Sequence, residues 1–124
     1  MSSARGRPAK MGRMATADLT VIGLGRSDPS AGEYIAEIQR RLAAQDRVGY
    51  RLHAMGTSLE GSTEDILGIV AELHRVPFDL GLPRAYTVLK LDERRDKEQT
   101  LDDKVRSVEK RLKDRQDPDR WRTA

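Results

Sequence analysis

The chain contains no cysteine among its 124 residues. That excludes disulfides, thiolate nucleophiles and cysteine-ligated metals, and it fits a reducing cytosol, so a cytoplasmic location is expected. Aromatic residues make up only 4%, and a core must therefore be built from aliphatic side chains. No run of about 18 apolar residues occurs, so no membrane span and no membrane partner are expected. The stretch from Met1 to Ala17 lacks the apolar centre that a secretory signal requires. What is present is charge, at 35%, against a hydrophobic fraction of 37%. A chain of this length and balance makes one domain with a small core.

The net charge of +3 is unevenly placed. Residues 1–17 carry Arg5, Arg7, Lys10 and Arg13 with no acid, whereas residues 18–103 carry eleven bases against sixteen acids. Residues 104–124 are basic again, with eight bases against four acids. A duplex binder needs a basic face built into its fold. Here the body is acidic and only the ends are basic, so no nucleic-acid partner is expected.

Residues 1–17 have no periodicity and read as a disordered basic leader, with Met14 as an alternative start. The domain is expected over 18–115 and a polar tail over 116–124. Leu19-Thr20-Val21-Ile22-Gly23-Leu24-Gly25 is β-branched and apolar on both faces, which suits a central strand. Ser30 stands three residues before Glu33, the spacing of a capping box. Ile35, Ile38 and Leu42 then recur at helical spacing, with Glu37, Arg40 and Arg41 facing water, giving a helix over about 31–45. A strand over 48–54 should place Tyr50, Leu52 and Ala54 on one face. It should turn through Met55-Gly56 into a short strand over 57–60. A second helix begins near Thr63 with Ile66, Ile69, Val70 and Leu73 in phase, and Pro77 should end or kink it. A strand over 85–92 follows, and then a third helix over about 101–115, carrying Leu101, Val105, Val108 and Leu112. The order βαββαβ plus a helix predicts an α+β, ferredoxin-like sandwich. It would have a four-stranded antiparallel sheet, two helices on one face and a C-terminal helix besides. The other sheet face is left uncovered and half apolar, which points to burial against a second copy.

Within that plan, Met55-Gly56-Thr57-Ser58-Leu59-Glu60-Gly61 gathers a hydroxyl, a carboxylate and glycines that let backbone approach a ligand. The ordered set of Thr20-Val21-Ile22 with Leu24-Gly25, Ser30 and Tyr34, Met55-Gly56-Thr57 with Glu60-Gly61, His74, Arg84, Arg94-Arg95-Asp96-Lys97, and Lys104 with Ser107-Val108 resembles the small thiamine-binding proteins (YkoF-like). The resemblance runs from about residue 18 to about 113. It departs at Ala54 and Gly23, where that family usually has proline. It implies a ferredoxin-like subunit of a homodimer or homotetramer that binds thiamine, or its hydroxymethylpyrimidine half, without turning it over and without a cofactor.

In the site so implied, Glu60 bonds the pyrimidine edge, Thr57 adds a hydroxyl, amides around Gly56 close over the ring, and Met55 supplies a soft wall. Arg94, Arg95 and Lys97 are expected as a phosphate site or, rather, an ion-pair cluster at a subunit junction. His53, His74 and Glu60 lack metal-ligand spacing, so no metal is expected. No nucleophile elbow, P-loop or dinucleotide fingerprint occurs, and the protein is expected not to be an enzyme. The alternatives are a regulatory module of the same fold that binds another metabolite at subunit interfaces, and an enzyme acting on a thiamine or pyrimidine derivative.

Overall fold

The computed structural model describes residues 5–6, 14–25, 31–96 and 100–114. In chain order the elements are β1 (Arg5–Gly6), β2 (Ala15–Leu24), α1 (Ala31–Ala43), β3 (Gly49–His53), β4 (Gly56–Gly61), α2 (Thr63–His74), α3 (Val76–Asp79), β5 (Arg84–Glu93) and α4 (Leu101–Asp114). Every strand pairing is antiparallel, in the order β1-β3-β4-β2-β5. The four longer strands with α1 and α2 form the expected ferredoxin-like βαββαβ plan.

The expected leader is corrected at two points. Arg5–Gly6 adds a two-residue strand opposite Arg51 and Tyr50. β2 begins at Ala15, inside the stretch read as disordered, and Met14, Ala15 and Ala17 are buried. The physical reason is length. β2 pairs residue by residue with β5 from Ala15↔Glu93 to Leu24↔Arg84, so the strand must run ten residues to satisfy that ladder.

Alternation on β2 sends Ala17, Leu19 and Val21 into the core beneath the helices. From α1 the core takes Tyr34, Ile38 and Leu42. Ile35, expected in that stripe, is 39% exposed, because the helix is rotated so that Tyr34 fills the core position. The helix also ends at Ala43. The Gln45 side chain then ties the exit loop, donating to the carbonyls of Leu42 and Val48 (both 2.8 Å) and accepting from the amides of Arg47 and Val48. From α2 come Ile66, Ile69 and Leu73. Its start is capped by Ser62, whose hydroxyl accepts from the Asp65 amide at 3.1 Å. Pro77 acts as the sequence predicts: α2 stops at His74 and the short α3 restarts around the proline. The Ser30 side of the capping box read for α1 lies outside the described residues.

The second face of the sheet is not wholly bare. α4 lies over one end of it, where Glu60, Arg51 and Asp92 reach Leu101, Asp102 and Lys104. The helix docks through polar contacts, and none of its residues is buried. Val105, Val108 and Leu112 are exposed, and so are Ile22, Leu24, Tyr86 and Val88 on the half of the sheet that none of the described elements covers.

Candidate functional site

The site follows from a mismatch in strand length. β4 pairs with β2 only from Gly61↔Ala15 to Thr57↔Leu19, whereas β5 accompanies β2 to Leu24. Beyond Leu19 one edge of β2 therefore has no strand partner among the described residues. The space beside it is bounded by α1 and by the β3–β4 turn at Ala54–Met55. A cavity of about 230 Å³ occupies this corner.

Glycine at position 56 sets the turn down onto β2. A Cβ there would stand 2.4 Å from the Leu19 carbonyl oxygen and 3.0 Å from Thr20 Oγ1, so no larger residue fits without displacing backbone. Two further bonds hold the turn. Thr20 Oγ1 donates to the Met55 carbonyl at 3.1 Å, and the Met55 amide donates to His53 Nδ1 at 3.2 Å. With Nδ1 accepting, the imidazole proton sits on Nε2 and faces Asp18 Oδ1 at 2.7 Å. The turn, β3 and β2 are thus linked at the cavity wall.

Most of the lining is apolar, with Leu19, Val21, Ile22, Ile35, Ile38 and Leu52 prominent. The polar exceptions are Thr20, Tyr34, Gln39, His53 and Thr57, and among the described residues no carboxylate lines the space. Gln39 Nε2 donates to Thr57 Oγ1 at 3.1 Å. Gln39 Oε1 is closed off from solvent and has no hydrogen-bond partner among the described residues. Such a group is rare in a folded protein, because a buried acceptor without a donor costs free energy.

Three of the four residues expected to bind ligand come together here. Met55 stands at the rim, 79% exposed, while Gly56 and buried Thr57 line the wall. Glu60 does not join them. Thr57 and Leu59 face the helices, so alternation turns Glu60 to the opposite sheet face. There its Oε2 accepts from the Leu101 amide at 2.8 Å, at the first turn of α4. Its role is to hold a helix end, where a carboxylate is favoured by the free amides and the helix dipole.

Arg94 and Arg95 lie past the far end of the β2–β5 ladder and are engaged locally. Arg94 Nε donates to Asp96 Oδ1 at 2.9 Å, and Arg95 Nε to Glu93 Oε2 at 2.8 Å. Each carboxylate holds its guanidinium above the usual arginine range. Lys97 lies outside the described residues. His74 Nδ1 meets Thr87 Oγ1 at 2.6 Å, so His53, His74 and Glu60 each have a separate partner. No cluster of three His, Asp or Glu side chains fit to hold a metal occurs among the described residues.

Gln39 escaped the sequence reading because it stands on α1 between Ile38 and Arg40, where helical phase places a solvent-facing residue. Its neighbour Thr57 is eighteen positions away. A glutamine beside an apolar stripe carries no local signal of burial, and only the tertiary fold brings the two together.

A family model described as "Thiamine-binding protein" matches residues 17–109. The chain belongs to that family. Among its relatives, the UPF0045 protein in the glkA 3' region of Staphylococcus xylosus is 43% identical over 104 residues, covering 82% of this chain and 97% of the relative. The solved structure of the MJ1052 protein of Methanocaldococcus jannaschii is 31% identical and superposes with a TM-score of 0.70, over 78% of this chain and 97% of the other. A Thermotoga maritima structure, named for a proposed role in thiamine biosynthesis or salvage, shares the fold at a TM-score of 0.65 and 22% identity. It covers 77% of this chain and 98% of that one. In this member of the thiamine-binding protein family, every residue lining the cavity falls inside the matched span.

Proposed function

We propose that the protein binds thiamine, or the hydroxymethylpyrimidine that forms half of it, in the cavity between α1, β2 and the β3–β4 turn, and releases it unchanged. The observation that carries this reading is the cavity itself: an apolar corner with a few convergent polar groups, in a chain of the thiamine-binding protein family. Its volume, about 230 Å³, lies below the roughly 300–1,000 Å³ typical of drug-sized sites. One heterocycle suits it, with the remainder of a larger ligand extending past Met55. A binding role without turnover is supported by His53, whose two ring nitrogens are already committed to Met55 and Asp18.

The working form is a homo-oligomer in the cytoplasm. Two apolar surfaces without cover among the described residues support the assembly, the α4 stripe and the open half of the sheet. Ile22 belongs both to that half and to the cavity wall, so a second copy would stand close to bound ligand.

A thermal-shift panel of thiamine, its phosphates, hydroxymethylpyrimidine, amino acids and nucleosides tests the reading, since a ligand that binds the native state raises the melting temperature. Thiamine or the pyrimidine should stabilise the protein and be recovered intact. Stabilisation only by a different metabolite would replace the ligand, and conversion of the bound pyrimidine would replace binding with catalysis.

A further inference from the structure

Gln39 carries half of a hydrogen-bonding pattern. Its Nε2 is spent on Thr57 Oγ1, while Oε1 is buried without a donor. That oxygen is closed off from solvent, so bulk water does not satisfy it. Thr57, itself buried, accepts through its oxygen, and its hydroxyl hydrogen is committed to no acceptor among the described residues. Gln39 and Thr57 thus hold one spare acceptor and one spare donor side by side in the wall of the cavity.

An aminopyrimidine presents the complement, an amino N–H beside a ring nitrogen that accepts. We infer that Gln39, paired with Thr57, reads that edge and sets the specificity of the site for amino-substituted heterocycles; this rests on the binding reading above. The terminal torsion of a glutamine is soft and broad. A small turn of the carboxamide brings Oε1 out of the wall to accept from the ligand's amino group, while Thr57 donates to the ring nitrogen. Turning the amide over exchanges the two roles and leaves one donor and one acceptor in place. The role assigned at first to the Glu60 carboxylate therefore falls to a neutral pair. A neutral pair suits an apolar cavity better, because it buries no unpaired charge.

The pattern implies separate effects on folding and on recognition. Replacing Gln39 by methionine, of similar length and without polar atoms, removes the orphaned acceptor but also takes from buried Thr57 the donor it accepts from, so the two effects offset and the ligand-free melting temperature should change little. The same change should abolish discrimination between ligands. The experiment is isothermal titration of wild type, Gln39→Met and Thr57→Val with 4-amino-5-hydroxymethyl-2-methylpyrimidine and with its analogue lacking the amino group. Wild type should prefer the amino compound by about tenfold or more, since a site built to bond an N–H rejects a ligand that lacks it. Gln39→Met should bind the two within about threefold of each other, chiefly by losing the amino compound. Thr57→Val should weaken both, because both keep the ring nitrogen.

Two results overturn the inference and leave the binding reading standing. One is a Gln39→Met protein that keeps the wild-type preference. The other is one that loses both ligands together with a lowered melting temperature, which marks Gln39 as structural. Wild type that binds neither compound overturns the inference, and wild type that also fails to bind thiamine removes the reading with it.

Discussion

Glu60 keeps only 8% of its surface exposed, with its carboxylate on the Leu101 amide. Glu60→Ala should therefore cost about 1–2 kcal/mol in the docking of α4, the usual cost of losing a helix-end acceptor. Affinity for thiamine should stay within about twofold of wild type, and calorimetry beside far-UV circular dichroism separates the two effects. A large loss of affinity with α4 intact would return Glu60 to the ligand site. Gly56→Ala should do the reverse. Its Cβ would be driven against the Leu19 carbonyl, pushing the turn off β2 at about 1–3 kcal/mol by analogy with overpacking. The cavity should lose its ligand before the fold is lost. The Met-Gly-Thr segment was legible in the sequence because glycine before a short strand marks a close backbone approach. The direction of Glu60 was not, since it depends on which residue begins the strand, and a shift of one reverses the faces.

Among the elements, α4 shows how far periodicity reaches. Leu101, Val105, Val108 and Leu112 correctly mark a helix, but their spacing does not say what that helix packs against. Its position is set by contacts distant in sequence, from Arg51 to Asp102 and from Glu60 to Leu101. Its start is also built locally. Thr100 Oγ1 accepts from the Asp103 amide at 3.1 Å, and Asp103 Oδ2 accepts from the Thr100 amide at 3.0 Å, a reciprocal cap. Hydrogen bonds from Thr100, its amide first and then its side chain, hold the Asp103 carboxyl below its usual range. A carboxyl depressed in the folded state adds stability that is present above its unfolded value, near 3.8, and is lost as pH falls through the folded one. The helicity difference between wild type and Asp103→Ala should accordingly be full at neutral pH and shrink progressively below about pH 4. A difference that does not change with acidity would remove Asp103 from the cap. The βαββαβ order, by contrast, was legible throughout, because each of its elements carries its own apolar period and turn residues.

For the whole molecule, Ile22 faces Tyr86 and Thr20 faces Val88 across the β2–β5 ladder, at the centre of the uncovered half of the sheet. Val88→Lys should place a charge in the middle of any contact made there and shift the mass measured by light scattering toward a single chain. Wild type that already has the mass of one chain across the micromolar range would end the homo-oligomer reading. α4 differs from the rest of the fold in what holds it. Its ion pairs, Arg51–Asp102 and Lys104–Asp92, are partly exposed, and such pairs contribute about 0–1 kcal/mol each. No residue of its apolar stripe is buried within one chain, Leu101 being half-buried and Val105, Val108 and Leu112 exposed. The amides of α4 should consequently exchange with deuterium through a local opening of their own, well before the amides of β2 that bond to β4 and β5, which wait for global unfolding. Added salt should speed the first class and leave the second almost unmoved. If assembly covers the stripe, the gap between the two classes should close as protein concentration rises, making this helix a built-in gauge of association.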